Sequence, residues 1–122
     1  MKRVLIIDHN VYLQEMWARQ LEGRVAVYSA HSIEEAEKEF SMNKDFAAIV
    51  MNACMPDAKD GAHEHEINTV PLVVRIRAEF KGPMVAISGF PSFREKLVEA
   101  GCDCSCNKEL LVILLSRILD LD

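Results

Sequence analysis

Five polar side chains in this 122-residue chain stand at or just past the ends of apolar runs, where a parallel sheet would gather them. Asp8 and His9 follow Val4 to Ile7, Asn52 follows Phe46 to Met51, Ser88 follows Val85 to Ile87, and Lys108 lies two residues beyond Cys106. Open parallel sheets place their sites at the carboxyl ends of the strands, so these groups are the candidates for chemistry. Asn52 decides much of what that chemistry can be, because an amide cannot act as a carboxylate nucleophile. His9 offers a nitrogen ligand that suits zinc, copper or nickel and serves magnesium poorly. Three cysteines, Cys102, Cys104 and Cys106, alternate and would share one face of a strand; soft-metal binding or oxidation sensing is open to them, with reduced core packing the favoured reading. The HEHE run from His63 to Glu66 spaces its histidines at i and i+2, which converge on a metal only in an extended strand, so an exposed loop is expected there.

The elements that must position these residues alternate between strand and helix character along the whole chain, the pattern of helices covering both faces of a mostly parallel sheet. Val4 to Ile7 is the first strand, wholly apolar as befits burial on both faces. A helix follows from Val11 to Leu21 and stops at Gly23. Arg24 to Ser29 supplies the second strand. Ser32 and Glu35 have capping-box spacing and open a helix to about Phe40. Phe46 to Met51 is the third strand, and Ala53 to Asn68 is the least regular part. The next helix begins near Thr69 to Pro71 and ends at Lys81 and Gly82. Val85 to Ile87 is the fourth strand. Ser92 with Glu95 repeats the capping-box spacing and opens a short helix closing at Ala100 and Gly101. Cys102 to Cys106 reads as a fifth strand and Glu109 to Leu121 as the last helix.

Composition narrows the functional classes. The length fits one domain spanning residues 1–122, and an apolar share of 50% suffices for a packed core. With a formal net charge of -5 and no basic cluster longer than Lys2 and Arg3, direct nucleic-acid binding is not expected. Even an apolar run such as Leu110 to Leu115, which no other exceeds, falls far short of the roughly 20 residues that span a bilayer. The four apolar residues after Arg3 are too few for a signal peptide. A cytoplasmic protein without disulfides is therefore expected.

Several motifs resemble those of the two-component response-regulator receiver domain. AAIVMNACMPDAKDG resembles its third strand and following loop, where the phosphate-accepting aspartate stands four residues before a proline; counting back from Pro56 gives Asn52. VLIIDHN resembles the first strand and acidic pair, with Asp8 kept and His9 in place of the second acid. AISG places Ser88 at the position whose hydroxyl contacts the phosphoryl group, and GCDCSCNK places Lys108 at that of the buried lysine, with Glu109 where a proline usually follows. The resemblance covers essentially the whole chain, apart from extra residues between Gly61 and Thr69. It implies an α/β, doubly wound (βα)5 fold of flavodoxin-like type, a five-stranded parallel sheet in order 2-1-3-4-5. It also implies a salt bridge between Lys108 and Asp8, because a lysine in an apolar neighbourhood needs a partner. Asp8 capping the following helix is the plainer alternative.

The charge count sets the expected chemistry. A working receiver site, as the resemblance implies, has three carboxylates against one lysine, a sum that suits a hard dication; here Asp8 and Lys108 sum to zero. Each carboxylate lost beside a cation at ~4 Å forfeits on the order of 4 kcal/mol at an effective dielectric near 20. Magnesium binding is thus expected to be weak or absent, no resident metal or cofactor is expected, and Asp8 is the one metal candidate of the set. The leading expectation is a phosphorylation-independent receiver-like domain, not an enzyme, acting by contacts with a protein partner in a bacterial signalling or regulatory pathway. Two alternatives stay open: a phosphorelay receiver with a displaced acceptor such as Asp57, and a metal or redox sensor using His9, the HEHE loop or the cysteines. Ser105 falls where the family places its switch aromatic, so both the input and the lever of the usual switch are missing. The last helix is apolar over an arc of about 200°, wider than one sheet face needs. Leu110, Ile113 and Leu121 are its candidate interaction surface, for a partner or a second copy of the chain.

Overall fold

The computed structural model describes residues 1–55 and 66–121. Within them the chain forms β1 (Arg3–Ile7), α1 (Val11–Leu21), β2 (Ala26–Ala30), α2 (Ile33–Met42), β3 (Ala48–Asn52), α3 (Val70–Glu79), β4 (Met84–Ile87), α4 (Pro91–Ala100), β5 (Cys104–Cys106) and α5 (Leu111–Ile118). All strand pairs are parallel and the sheet order is β2-β1-β3-β4-β5, the doubly wound arrangement expected.

Alternation along the strands divides the core into two layers. Leu5, Ile7, Ile49, Met51, Met84 and Ala86 face α2, α3 and α4 through Ala36, Phe40, Leu72, Val73, Ile76 and Leu97. Val4, Ile6, Ala48, Val50, Val85 and Ile87 face α1 and α5 through Trp17, Leu21, Leu111 and Leu115. Both faces of β1, β3 and β4 are therefore buried, which is why those strands read as continuous apolar runs.

Helix ends follow local chemistry. Asn10 caps α1 by accepting from Leu13 N at 3.0 Å, and Gly23 just beyond it takes φ 81°, a left-handed conformation that glycine adopts without strain. Ser32 caps α2, its Oγ accepting from Glu35 N at 3.1 Å. Gly101 ends α4 at φ 145°, and a Cβ there would lie 3.0 Å from the Arg77 side chain. That arginine donates to the carbonyls of Phe80, Gly82 and Gly101 and pairs with Asp103, tying the end of α3 to the approach to β5.

Four expectations need correction. Ser92 does not cap α4: the helix starts two residues earlier than such a cap would set, at Pro91 with Phe90 as its cap residue, and no side-chain cap bond forms. Proline at a first helical position moves the start upstream, since its missing N–H is not needed there. The three cysteines do not share a face. Cys102 precedes β5 and is buried in the layer with α2, α3 and α4, while Cys104 and Cys106 pack on the opposite layer. The turn at Gly101 breaks the alternation that strand-like spacing suggested, and Cys102 N bonds back to Leu97 O at 3.0 Å. The last helix is also shorter. It is preceded by a 3-10 turn, Lys108–Leu110, capped by Asn107, and ends at Ile118, so Leu121 lies outside it, partly buried against the core. Leu110 and Ile113 remain about half exposed. The second and third strands start two residues later than expected, at Ala26 and Ala48. The expected turn at Pro56 and the HEHE histidines, His63 and His65, lie outside the described residues, as does Asp57.

The two serines allow a direct test of local capping. Ser32→Ala is expected to lower stability by about 1 kcal/mol, whereas Ser92→Ala should stay within about 0.5 kcal/mol of the parent. Urea denaturation midpoints of the two variants measure the difference.

Candidate functional site

The carboxyl ends of β1, β3 and β4, with the turn after β5, converge on one small region. Asp8 is completely buried. Its Oδ1 accepts from Asn10 N at 2.9 Å, and its Oδ2 lies 2.8 Å from Lys108 Nζ. Asp8 therefore pairs with the lysine and braces the first turn of α1 indirectly, while the cap itself is Asn10. His9, on the same turn, places Nδ1 3.8 Å from Asp8 Oδ1 and 3.5 Å from Asn52 Nδ2. Asn52 ends β3 in register with Ile87 of β4, and its amide nitrogen donates to Cys54 O at 2.7 Å. Ser88 follows β4; its Oγ accepts from Phe90 N at 3.0 Å and its carbonyl accepts from Arg94 at 2.7 Å. Asn52 and Ser88 are both more than nine-tenths buried.

A cavity of about 110 Å³ opens among these residues, lined by His9, Asn52, Cys54, Ser88, Gly89, Phe90 and Lys108. Among the described residues no carboxylate lines it: Asp8 sits behind Lys108 with both oxygens engaged. This donor set does not fit a magnesium ion, which needs several oxygen ligands and usually one or two carboxylates. Among the described residues no three His, Cys, Asp or Glu side chains are grouped so as to hold a metal. Ser105 stands exposed on β5, beside Ala86, and lines a separate open cavity of about 450 Å³ with Cys106, Leu110, Ile113, Leu114 and Arg117.

Three residues that sequence reasoning passed over hold this edge in place. Gln14, on α1 and 2% exposed, directs its amide nitrogen at Ile6 O, Asp8 O and Ala30 O, at 2.8, 3.0 and 3.3 Å. It thereby fastens the ends of β1 and β2 directly behind Asp8. Thr69 donates its hydroxyl to Asn52 O at 2.8 Å and sits 3.1 Å from Ala53 O. Asn68 accepts from Met55 N at 2.8 Å and donates its amide to Met55 O, closing the two ends of the loop against each other. A glutamine among the apolar residues of an amphipathic helix was the available signal for Gln14. Nothing local marks Asn68 or Thr69, whose partners are more than ten residues away in sequence.

Burial pushes the thiols upward. Cys102 is raised to about 12, by desolvation first and the Asp103 charge second, and Cys106 to about 11, by desolvation first and Cys104 second. Cys54 and Cys104 are raised too, chiefly by desolvation; for Cys54, Lys108 opposes part of the rise. Thiolates are the reactive form, so these shifts weigh against ready oxidation or soft-metal capture.

Two measurements follow from this geometry. Lys108→Met would leave a fully buried carboxylate without its partner and is expected to cost about 3 kcal/mol, the low end of the usual range because the lysine is a quarter exposed. The double change Asp8→Asn with Lys108→Met should recover most of that loss in chemical denaturation. Raised thiols also act in alkali: the unfolded chain releases thiol protons from pH 9 while the folded chain holds them, so stability is full below pH 9 and falls toward pH 12. A Cys102→Ala/Cys106→Ala variant should show a smaller fall in urea midpoint over that window than the parent.

No protein-family model matches the sequence, and no curated protein matches it. Solved structures match throughout. A two-component response regulator from Clostridium difficile superimposes with a TM-score of 0.79 at 21% identity, covering 98% of this chain and 97% of that one. A response regulator protein from Burkholderia pseudomallei, holding a phosphorylated aspartic acid, a calcium ion and citrate, gives 0.77 at 23%, covering 97% of this chain and 66% of the other. A CheY-like response regulator receiver domain from Methylobacillus flagellatus gives 0.76 at 22%, covering 98% and 97%. With topology, strand order and nearly the full length in agreement, the chain has the CheY-like fold of the response-regulator receiver domain.

Proposed function

We propose that this chain is a receiver-like signalling domain, cytoplasmic and not an enzyme, that works without phosphorylation by presenting a fixed surface to a protein partner. The observation that carries the reading is the amide of Asn52 at the end of β3, beside the buried Asp8 and Lys108 pair. A carboxamide cannot take a phosphoryl group as a carboxylate does. Among the described residues, the cavity beside it has no acidic group that would hold magnesium, so weak or absent magnesium binding belongs to the same proposal. Lys108 is already engaged by Asp8, and Ser88 Oγ already accepts from Phe90 N, so the edge stands in one arrangement without an added charge.

The contact surface of this reading is the flank around α5. Leu110 and Ile113 are half exposed there, next to the exposed Ser105 and the open cavity between β5 and α5. A second copy of the chain or another protein of the pathway would cover this apolar ground; nucleic acid is not favoured by a net charge of -5.

Incubation with a small phosphoryl donor and Mg²⁺ is expected to leave the intact mass unchanged, and a gain of about 80 Da mapped to Asp57 would instead establish a displaced acceptor. The double variant Asn52→Asp/His9→Asp is expected to gain that mass, a reading supported by Ser88 and Lys108 lining the same cavity as residues 9 and 52. Sedimentation of the parent against Ile113→Lys tests the surface: self-association, where present, should be lost in the variant.

A further inference from the structure

At about 450 Å³, the cavity between β5 and α5 is much larger than the 110 Å³ beside Asn52, and its chemistry is different. It falls within the roughly 300–1,000 Å³ of small-molecule sites, which are mostly apolar with a few polar groups that fix orientation. Leu110, Ile113, Leu114 and Arg117 follow one another at helical spacing, so they form a single stripe along the turn before α5 and α5 itself. That stripe is aliphatic until it reaches Arg117. Opposite it, β5 contributes Ser105 and Cys106. Burial first, and Cys104 second, raise the Cys106 thiol to about 11, so it stays protonated near neutral pH and serves as a small apolar wall. Arg117 is exposed, and among the described residues it forms no ion pair.

From this lining we infer that the cavity binds a small alkyl monocarboxylate, its carboxylate on the Arg117 guanidinium and its chain along Leu114, Ile113 and Leu110. The planar fork of a guanidinium matches the two oxygens of a carboxylate, which gives the bound molecule a direction. No aromatic side chain lines the cavity, so a ring would find no partner to stack on or meet edge-on, and a flexible alkyl body suits the aliphatic wall better. A net charge of -5 disfavours anions over the surface as a whole. Selection of the carboxylate therefore falls to Arg117. The site shares Leu110 and Ile113 with the proposed contact surface, and the inference stands whether or not a protein also docks there.

Titration of the ¹⁵N-labelled chain with sodium octanoate, at neutral pH, constant ionic strength and premicellar concentration, tests it by amide chemical shifts. Saturable shifts centred on Ser105, Cys106, Leu114 and Arg117 are expected. Affinity should rise about two- to fourfold per methylene from hexanoate to octanoate. Arg117→Gln, at an exposed position, should weaken octanoate about tenfold and leave 1-octanol within about twofold, since only the carboxylate uses the guanidinium. Ser105→Phe should abolish binding of both by filling the cavity, with spectral dispersion showing that both variants remain folded. Shifts that stay linear and spread over the surface, or octanoate binding undiminished in folded Arg117→Gln or Ser105→Phe, would overturn the inference. Sedimentation of the same samples separates this site from the contact surface. Saturable octanoate binding by a strict monomer upholds the inference and removes self-association; self-association lost in Ile113→Lys, without saturable octanoate binding by the parent, does the reverse.

Discussion

A carboxylate with no exposure to solvent persists as an ion only beside a matching charge, and Lys108 Nζ, 2.8 Å from Asp8 Oδ2, supplies it. The pair joins the end of β1 to the turn after β5, elements that are not neighbours in the sheet. Whatever moves one strand end relative to the other must therefore strip a buried charge of its partner. Such a pair adds little net stability compared with apolar packing, but its loss from one side is expensive, so it acts as a constraint on geometry more than as a source of stability.

The groups around that pair are held in turn. Gln14 fastens the backbone of Asp8 to the ends of β1 and β2, Thr69 fastens that of Asn52 and Ala53, and Arg94 fastens that of Ser88. Each of these bonds lies in or near the low-dielectric interior, where losing one is costly, although Gln14 Oε1 itself has no hydrogen-bond partner among the described residues. A domain built this way keeps its site edge in one shape. In the proposed phosphorylation-independent reading, that shape would not depend on a charge arriving at residue 52.

Packing explains where the remaining freedom lies. The two core layers close over β1, β3 and β4 from both faces, but β5 is a three-residue edge strand whose central residue, Ser105, is exposed. An aromatic side chain there would cover part of the space between β5 and α5; serine leaves it open, with Leu110 and Ile113 at its rim. Exposed apolar ground beside a short sheet edge is where association adds the most burial for the least rearrangement.

The fold class was legible in the sequence because burial on both faces imposes continuous apolar runs on β1, β3 and β4, while Asn10, Ser32, Gly23 and Gly101 punctuate the helices by local chemistry. The identities of Asp8, Asn52, Ser88 and Lys108 as strand-end groups were legible for the same reason. Helix starts were less so, since Ser92 has capping spacing and Pro91 still moved the start past it. The tertiary structure alone decided that Cys102 parts from Cys104 and Cys106, that Asn68 and Thr69 clamp the loop after β3, and that Gln14 reaches three carbonyls from two strands. It also decided that Asp8 turns one oxygen to Asn10 N and the other to Lys108, so that among the described residues no carboxylate lines the cavity. Sequence periodicity encodes which side of an element is buried, because that depends on neighbours three or four residues away. Which polar atoms meet depends on strands brought together from opposite ends of the chain, and only the folded backbone sets those distances.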